Sequence, residues 1–300
     1  MIALDAEALV GSYTPLVTPF TGGAVDLDAY EKLVQRQISG GSQGVVVTGT
    51  SGEPSVLEPD ERLELLRVAV STSAGQLPVV AATGSGSHAE TVRLSTRAAE
   101  AGADALLVVT PYYLRPPQHG LEEYFVDIAA RVEIPMMIYH IPGRAAVTLE
   151  VGTLERIVAR AENVVGIKHA ATDLGLVTDL LGRLGPDFRI FVGLEELSLP
   201  MLAVGARGLM NAAGNVVPDR VVALWRAVEE ERLVDARKIH HELWELNRAI
   251  FYDTNPIPIK YMLYRMGALP GNEHRLPMMP ATDELAARLD GVLRRAGLLA

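Results

Sequence analysis

The chain has 300 residues, 49% of them hydrophobic, and its 37 acidic residues outnumber 27 lysines and arginines to give a formal net charge of −10. This acidic balance argues against a nucleic-acid-binding protein, which presents a basic surface to phosphates, and the lack of cysteine excludes disulfides, thiolate nucleophiles and cysteine-bound metals. No apolar run of about 18 residues predicts a membrane span, and the N-terminus has acids at Asp5 and Glu7 instead of the basic start of a signal peptide, so we expect a cytoplasmic protein.

Strand-like and helix-like segments alternate up to about residue 217. The strand-like segments are mostly continuous apolar runs, which is typical of parallel strands covered by helices. Strands are predicted at 13–20, 44–49, 78–83, 105–110, 135–140, 164–170, 189–194 and 208–212. Helices are predicted at 26–40, from 58 onward, and at 88–101, 121–132, 149–161, 173–184 and 197–204. Eight strands, each followed by a helix or a long loop, predict an α/β fold of the (β/α)₈ barrel type rather than an open doubly wound sheet.

The pattern changes after residue 217. Only helical periodicity remains, at 220–231, 234–252, 257–266 and 283–296. We therefore predict a barrel over residues 1–217 and a C-terminal helical region over residues 218–300 that packs on the barrel.

Active sites of such barrels lie at the C-terminal ends of the strands, where the sixth predicted strand carries Lys168. A lysine that is buried there loses solvation, which frees its amine to attack a carbonyl group; the alternative is an edge lysine whose ammonium group reaches water. Because side chains alternate along a strand, Tyr139 and Lys168 should face one cavity from neighbouring strands. His140 and His169 should then point away from that cavity, as structural histidines or, alternatively, as a metal pair without an evident third ligand.

Hydroxyl groups and a cation follow two other strands. Thr50 and Ser51 lie between two glycines, and their hydroxyls and the bare amides beside them suit a small carboxylate, although an ordinary turn has the same composition. Arg144 follows a Pro-Gly turn and has the fork geometry to bind a second carboxylate; a surface arginine is the alternative.

The ends of the predicted strands 105–110 and 78–83 give weaker indications of function. Tyr112 and Tyr113 have the chemistry to relay protons or to stack at a subunit contact, or they pack with satisfied hydroxyls. The segment 83–89 loosely matches a dinucleotide-binding pattern, but it follows the third strand and no ribose-binding acid is evident, so a helix-capping turn is favoured.

A lysine, a tyrosine, a hydroxyl-rich loop and an arginine at one barrel mouth suit an enzyme that forms a Schiff base with a 2-oxo acid. The loop around Thr50 would hold the carboxylate, Lys168 would condense with the ketone, and Tyr139 would move protons. A non-catalytic binding or regulatory protein and a metal-dependent barrel enzyme are the alternatives from other classes.

The same motifs resemble those of the dihydrodipicolinate synthase / N-acetylneuraminate lyase family, and the resemblance extends over essentially the whole chain. The matching segments are Pro-Leu-Val-Thr-Pro-Phe at 15–20, Gly-Thr-Ser-Gly-Glu at 49–53, Pro-Tyr-Tyr at 111–113, Tyr-His-Ile-Pro-Gly-Arg at 139–144 and Gly-Ile-Lys at 166–168. Further matches are Gly193, Asn215, Asn-Pro-Ile-Pro at 255–258 and Leu-Pro at 276–277.

This resemblance implies a barrel enzyme in which Lys168 forms the Schiff base with pyruvate. It implies that Thr50, Tyr139 and Tyr113 form a hydroxyl relay, with Tyr113 reaching in from a neighbouring subunit of a homotetramer built from two tight dimers. Neither a metal nor a cofactor is implied.

The resemblance also assigns the substrate-binding positions. Ser51 stands where the family binds the pyruvate carboxylate, Gly193 matches a family glycine, and a main-chain group of Met210 would line the site.

The second substrate is expected to be a small aldehyde. The tyrosine pair and Arg144 favour L-aspartate 4-semialdehyde, which would give 4-hydroxy-tetrahydrodipicolinate. Glu195 and Glu196 resemble the acid pair of the sugar-acid lyases and favour the alternative, an aldolase or dehydratase of a 2-oxo sugar acid such as N-acetylneuraminate or a 2-dehydro-3-deoxy-aldonate. His140 and His169 replace the usual asparagine and glutamate of the family, and they leave the identity of this substrate open.

Overall fold

Eight parallel strands close into a barrel in the computed structural model, which describes Asp5 and residues 8–300. Around the barrel the order is β1-β10-β9-β8-β7-β6-β5-β4, and β2 and β3 form a separate antiparallel hairpin. The strands are β1 (Gly11–Pro15), β2 (Phe20–Thr21), β3 (Ala24–Val25), β4 (Gly44–Val47), β5 (Val79–Ala82), β6 (Ala105–Val109), β7 (Met136–His140), β8 (Val164–His169), β9 (Arg189–Val192) and β10 (Gly208–Leu209). The predicted fold class is confirmed. Most of the acidic N-terminal segment considered above lies outside the described residues.

Helices connect the strands and cover the outside of the barrel. They are α1 (Leu27–Ser39), α2 (Pro59–Ser73), α3 (His88–Glu100), α4 (Gln118–Ala129), α5 (Pro142–Ala145), α6 (Val151–Arg160), α7 (Leu174–Leu184), α8 (Ser198–Ala203), α9 (Pro218–Glu229), α10 (Leu233–Ala249), α11 (Ile257–Arg265) and α12 (Asp283–Arg295). Among the helices described, none combines the length and apolarity that crossing a bilayer requires.

Several helices start at a side chain that accepts a hydrogen bond from their first turn. The carboxylates of Asp26 and Asp173 and the hydroxyls of Ser87 and Thr282 accept backbone N–H groups at the starts of α1, α7, α3 and α12. These capping residues explain why the predicted helix starts lie close to those observed.

The predicted first strand, 13–20, is wrong in its second half. β1 ends at Pro15, and Phe20 starts the β2–β3 hairpin. Pro15 and Pro19 have no backbone N–H group, so the segment cannot continue the ladder of hydrogen bonds that a central strand needs. The turn predicted around Pro142 contains a helical turn, α5, which starts at that proline.

Side-chain alternation divides the apolar residues into two layers. Outward residues of the strands pack against the helices in the larger core. Inward residues fill the barrel, where the rings of Tyr13 and Phe191 meet edge to face with centroids 5.2 Å apart. On β7 and β8 the inward set includes Met137, Tyr139 and Val165, so these strands direct their last inward side chains to the mouth of the barrel.

The helices after residue 217 pack on one another and on the barrel. α9 contacts α10 and β1, and α11 contacts α12 and the turn at 212–215. A division of the chain at residue 217 stays a prediction.

Candidate active site

Lys168 lies inside the barrel beside Tyr139. The two residues are register partners on β8 and β7, and Lys168 Nζ lies 4.3 Å from the centroid of the Tyr139 ring. Only 4% of Lys168 is exposed. The alternative in which its ammonium group reaches bulk water is therefore wrong. Tyr139 and Lys168 lie on the same face of neighbouring strands, as predicted, but only Tyr139 lines the large cavity at the barrel mouth.

Two glycines leave the room that this strand end needs. A Cβ atom on Gly193 would lie 2.9 Å from Lys168 Cε and 2.8 Å from Ala170 Cβ. A Cβ atom on Gly166 would lie 2.2 Å from the carbonyl oxygen of Arg189. Gly193, predicted as a substrate-binding residue, thus makes space for the lysine side chain.

The hydroxyl-rich loop after β4 reaches Tyr139. Residues Thr50–Gly52 form a 3₁₀ turn, and the Thr50 hydroxyl lies 3.3 Å from that of Tyr139. Ser51 is buried, and its hydroxyl accepts a hydrogen bond of 3.1 Å from the side-chain amide of Asn255. The structure therefore brings Thr50, Tyr139 and Lys168 together, with Ser51 next to them along the chain.

A buried ionic cluster holds this loop in place, and sequence reasoning missed it. The Glu53 carboxylate lies 2.9 Å from Lys260 Nζ and 2.9 Å from His274 Nδ1, and the three side chains are at most 3% exposed. Burial lowers the pKa of Lys260, and the charge of Glu53 acts against that shift. Glu53 has a left-handed backbone (φ 54°), a conformation that is costly outside glycine and needs such fixation. In the sequence, Glu53 is the last residue of the 49–53 motif, which is the indication that this glutamate has a specific role.

A cavity of about 920 Å³ opens beside this loop at the barrel mouth. Thr50, Tyr139 and the exposed Arg144 line it, together with Asn255 and Arg62. Sequence reasoning did not single out Arg62, which donates a hydrogen bond of 2.8 Å to the carbonyl of Ala82 and whose pKa is lowered by burial. The predicted position of Arg144 near the mouth agrees with the structure.

Tyr113 lines the same cavity but stands apart from the other hydroxyls. It is 91% exposed, has a left-handed backbone (φ 74°) and makes no hydrogen bond to Thr50 or Tyr139 within the described chain. One copy of the chain thus assembles two of the three predicted relay hydroxyls, and the role of Tyr113 stays a prediction.

Several predicted site residues, most of them buried, do not line the large cavity: Lys168, Ser51, Gly193, Met210 and Glu195. Met210 packs inside the barrel, and its N–H donates to the carbonyl of Val192 over 2.9 Å. Glu195 is buried, and its Oε1 accepts the N–H of Ala212 over 2.5 Å. Burial raises the pKa of Glu195 to about 7, while the charge of Lys168 opposes the shift. Their roles in binding substrate stay predictions.

His140 and His169 point outward from the barrel, as strand alternation predicts. They are register partners, and their Nδ1 atoms lie 3.1 Å apart. Within the described part of the chain, no group of three or more histidine, aspartate or glutamate side chains is arranged to hold a metal ion.

Comparisons with known proteins agree with this architecture. The model of the dihydrodipicolinate synthetase family matches residues 8–296. The 4-hydroxy-tetrahydrodipicolinate synthase of Thermus thermophilus is 42% identical over 290 residues, which cover 96% of this chain and 97% of that protein. The solved dihydrodipicolinate synthase of Aquifex aeolicus has a TM-score of 0.94 at 37% identity, with 96% of this chain and 98% of that chain covered.

A solved monomeric variant of dihydrodipicolinate synthase has a TM-score of 0.95 at 35% identity, with 98% of this chain and 99% of that chain covered. The similarity in sequence and structure spans the barrel and the C-terminal helices alike. This chain belongs to the dihydrodipicolinate synthetase family.

Proposed function

We propose that this protein is a class I lyase that condenses pyruvate with L-aspartate 4-semialdehyde to give 4-hydroxy-tetrahydrodipicolinate, a step of lysine biosynthesis. The observation that carries the proposal is the buried Lys168 beside Tyr139, whose hydroxyl meets that of Thr50. The relatives at about 40% identity that bear the synthase name support the same reaction. We place the enzyme in the cytoplasm, where pyruvate is formed.

The first half of the reaction builds a nucleophile from pyruvate. The amine of Lys168 adds to C2 of pyruvate, and the resulting carbinolamine loses its hydroxyl as water to give an iminium ion. Tyr139 supplies the proton to the leaving hydroxyl and exchanges it with Thr50. The iminium ion withdraws electrons, so Tyr139, which has given up its proton, takes one from the C3 methyl group and an enamine forms.

The second half joins the two carbon chains. C3 of the enamine attacks the aldehyde carbon, and the aldehyde oxygen takes up a proton from the Tyr139–Thr50 hydroxyl pair. The amino group of the semialdehyde then adds to C2 and displaces Lys168, which closes the ring and frees the enzyme. Residues around Ser51 hold the pyruvate carboxylate throughout, which keeps C2 within reach of the lysine.

Arg144 supports an acidic aldehyde as the second substrate. It lines the cavity without a carboxylate partner in the described chain, so its guanidinium is free to take the carboxylate of the semialdehyde. A sugar-acid substrate is less well supported, because Glu195 is buried and one oxygen of its carboxylate already accepts the N–H of Ala212.

We further propose that the enzyme assembles as a homotetramer of two tight dimers, in which Tyr113 of one subunit completes the site of its neighbour. Tyr112 and Tyr113 line the cavity and are exposed, and the exposed Leu114 follows them along the chain, which supports a subunit contact there.

An aldehyde panel tests the choice of second substrate. We expect turnover of pyruvate with aspartate semialdehyde to exceed that with sugar-derived aldehydes at least tenfold.

Arg144→Ala should weaken use of the semialdehyde about 10- to 100-fold, because a charged hydrogen bond is lost, and should leave formation of the pyruvate Schiff base intact. Arg237→Ala, on the outer helix α10, is the matched control. Equal or better turnover with the sugars, or loss of pyruvate binding in the Arg144 variant, would contradict the proposal.

A further inference from the structure

His140 and His169 lie directly next to two residues of the candidate active site, on the outer faces of β7 and β8. His140 follows Tyr139 on β7, and His169 follows Lys168 on β8, so the imidazoles lie on the opposite faces of the same strand ends. Both are buried, with exposures of 1% and 0%. The reaction proposed above does not use them.

The imidazole rings meet edge to edge. Their planes differ by 16°, their centroids are 5.3 Å apart, and their Nδ1 atoms are 3.1 Å apart. The distance from each ring centre to its Nδ1 atom, added twice to the 3.1 Å between the Nδ1 atoms, nearly equals the 5.3 Å between the ring centroids. The Nδ1 atoms therefore point at each other in the ring planes, which is the geometry of a hydrogen bond rather than of face-to-face stacking.

The partners of His169 fix the direction of this hydrogen bond. His169 Nε2 lies 3.0 Å from the carbonyl oxygen of Asp173, and a carbonyl only accepts, so Nε2 carries the proton. Nδ1 of the neutral His169 then has only a lone pair. His140 must therefore donate from Nδ1, and its buried Nε2, which has no partner in the described chain, is left unprotonated.

Both rings are held in the neutral state by their surroundings. Burial lowers the pKa of His140 to about 4, and the charge of His169 adds to that effect. Burial also lowers the pKa of His169. Asp173, at the start of α7, is the charged group that acts on both rings, and it opposes these shifts. A proton on His169 Nδ1 would set two N–H groups against each other and break the hydrogen bond.

The pair links strand ends that also carry backbone bonds to the active site. The carbonyl of His140 accepts the N–H of Ala170 over 2.9 Å, and the carbonyl of His169 accepts the N–H of Gly193 over 2.8 Å. Gly193 is the residue that abuts Lys168 Cε. The backbones of the two histidines are thus hydrogen-bonded to Ala170 and to Gly193, which lies beside Lys168.

We propose that the hydrogen bond from His140 to His169 positions Tyr139 and Lys168 for Schiff-base formation by holding the mouths of β7 and β8 in register. This inference rests on the proposed function. The histidines are positioning residues, because they lie on the opposite strand faces from Tyr139 and Lys168 and act through those neighbouring side chains. Catalysis is sensitive to displacements of the reacting groups of about 1 Å, so a hydrogen bond that fixes the strand ends from outside the barrel favours the reaction.

Two substitutions of His140 separate the hydrogen bond from mere packing. His140→Asn keeps an N–H donor near the position of Nδ1, whereas His140→Leu fills similar space without a donor. We expect the rate of borohydride-trapped pyruvate adduct formation to fall at least tenfold in His140→Leu, with KM for pyruvate changed less than threefold. His140→Asn should retain the rate within about threefold. Ile138→Ala, one outward position earlier on β7, controls for a general loss of packing.

Nitrogen NMR of the wild-type protein provides a measurement that does not depend on folding of a variant. With the imidazole signals assigned to individual residues, we expect His140 to carry its proton on Nδ1 and His169 to carry its proton on Nε2; the assignment separates them from His274, whose Nδ1 faces the Glu53 carboxylate. Both protons on Nε2, equal trapping rates in wild type and His140→Leu, or an equal loss in Ile138→Ala would overturn the proposal. A wild-type protein that traps no pyruvate would instead refute the Schiff-base function, so the two failures are distinguishable.

Discussion

At the scale of single residues, the most consequential feature is a lysine that is buried yet has space to react. Lys168 is covered by Tyr139 on one side and approaches Gly193 on the other. A buried amine keeps little hydration to lose when it attacks a ketone, and its neighbours limit the directions in which it can move. The absence of a side chain at residue 193 is therefore part of the geometry of the site.

Gly193→Ala tests this steric argument. The new Cβ atom would press on Lys168 Cε and on Ala170, so we expect kcat/KM for pyruvate to fall about tenfold or more and the free energy of unfolding to drop by about 1–3 kcal/mol. Gly182→Ala is the matched control, because its Cβ atom on α7 meets open space and alanine favours a helix by about 1 kcal/mol. Steady-state kinetics and thermal unfolding measure both effects. Unchanged kinetics in the Gly193 variant would show that Lys168 has other room to move.

At the scale of elements, the loop after β4 depends on contacts with the C-terminal part of the chain. Glu53 joins this loop to Lys260 on α11 and to His274, while Asn255 donates to Ser51. The C-terminal part of the chain thus holds the loop around Thr50 in place through the buried cluster of Glu53, Lys260 and His274.

Glu53→Gln tests whether the cluster of Glu53, Lys260 and His274 stabilises the protein, because it removes the negative charge of the cluster. The change leaves Lys260 buried without a counter-charge, so we expect the free energy of unfolding to decrease by about 3–5 kcal/mol. KM for pyruvate should rise because the loop around Thr50 loses its anchor. Glu64→Gln on the exposed face of α2 serves as the control, and chemical denaturation combined with initial rates provides the measurement. A Glu53 variant as stable as the control would mean that the cluster does not hold the loop.

Alternation along strands made part of this site predictable. The assignment of Tyr139 and Lys168 to one face, and of their following histidines to the other, required only the strand boundaries and a period of two. The hydrogen bond between the histidines was not predictable, because it depends on the register of β7 against β8, and Val165 is an extra residue that interrupts this register.

At the scale of the whole molecule, continuous apolar strands alternating with capped helices were sufficient to predict the barrel. The hairpin after β1 was missed because its strands have only two residues each. The Glu53 cluster was missed because Lys260 and His274 lie more than 200 residues away along the chain, and no local pattern reports such a contact. Tyr113 depends on a second copy of the chain in our proposal, so a single chain cannot define its position in the site.

Trapping the Schiff base between Lys168 and pyruvate shows which lysine of the protein is the nucleophile. The protein is incubated with pyruvate, reduced with borohydride, digested and examined by mass spectrometry, with Lys168→Ala and Lys238→Ala treated in parallel. We expect one reduced pyruvate adduct on Lys168, its absence in Lys168→Ala, and its retention in Lys238→Ala, since Lys238 is an exposed lysine of α10. An adduct on another lysine, or trapping that survives in Lys168→Ala, would contradict the assignment of Lys168 as the nucleophile.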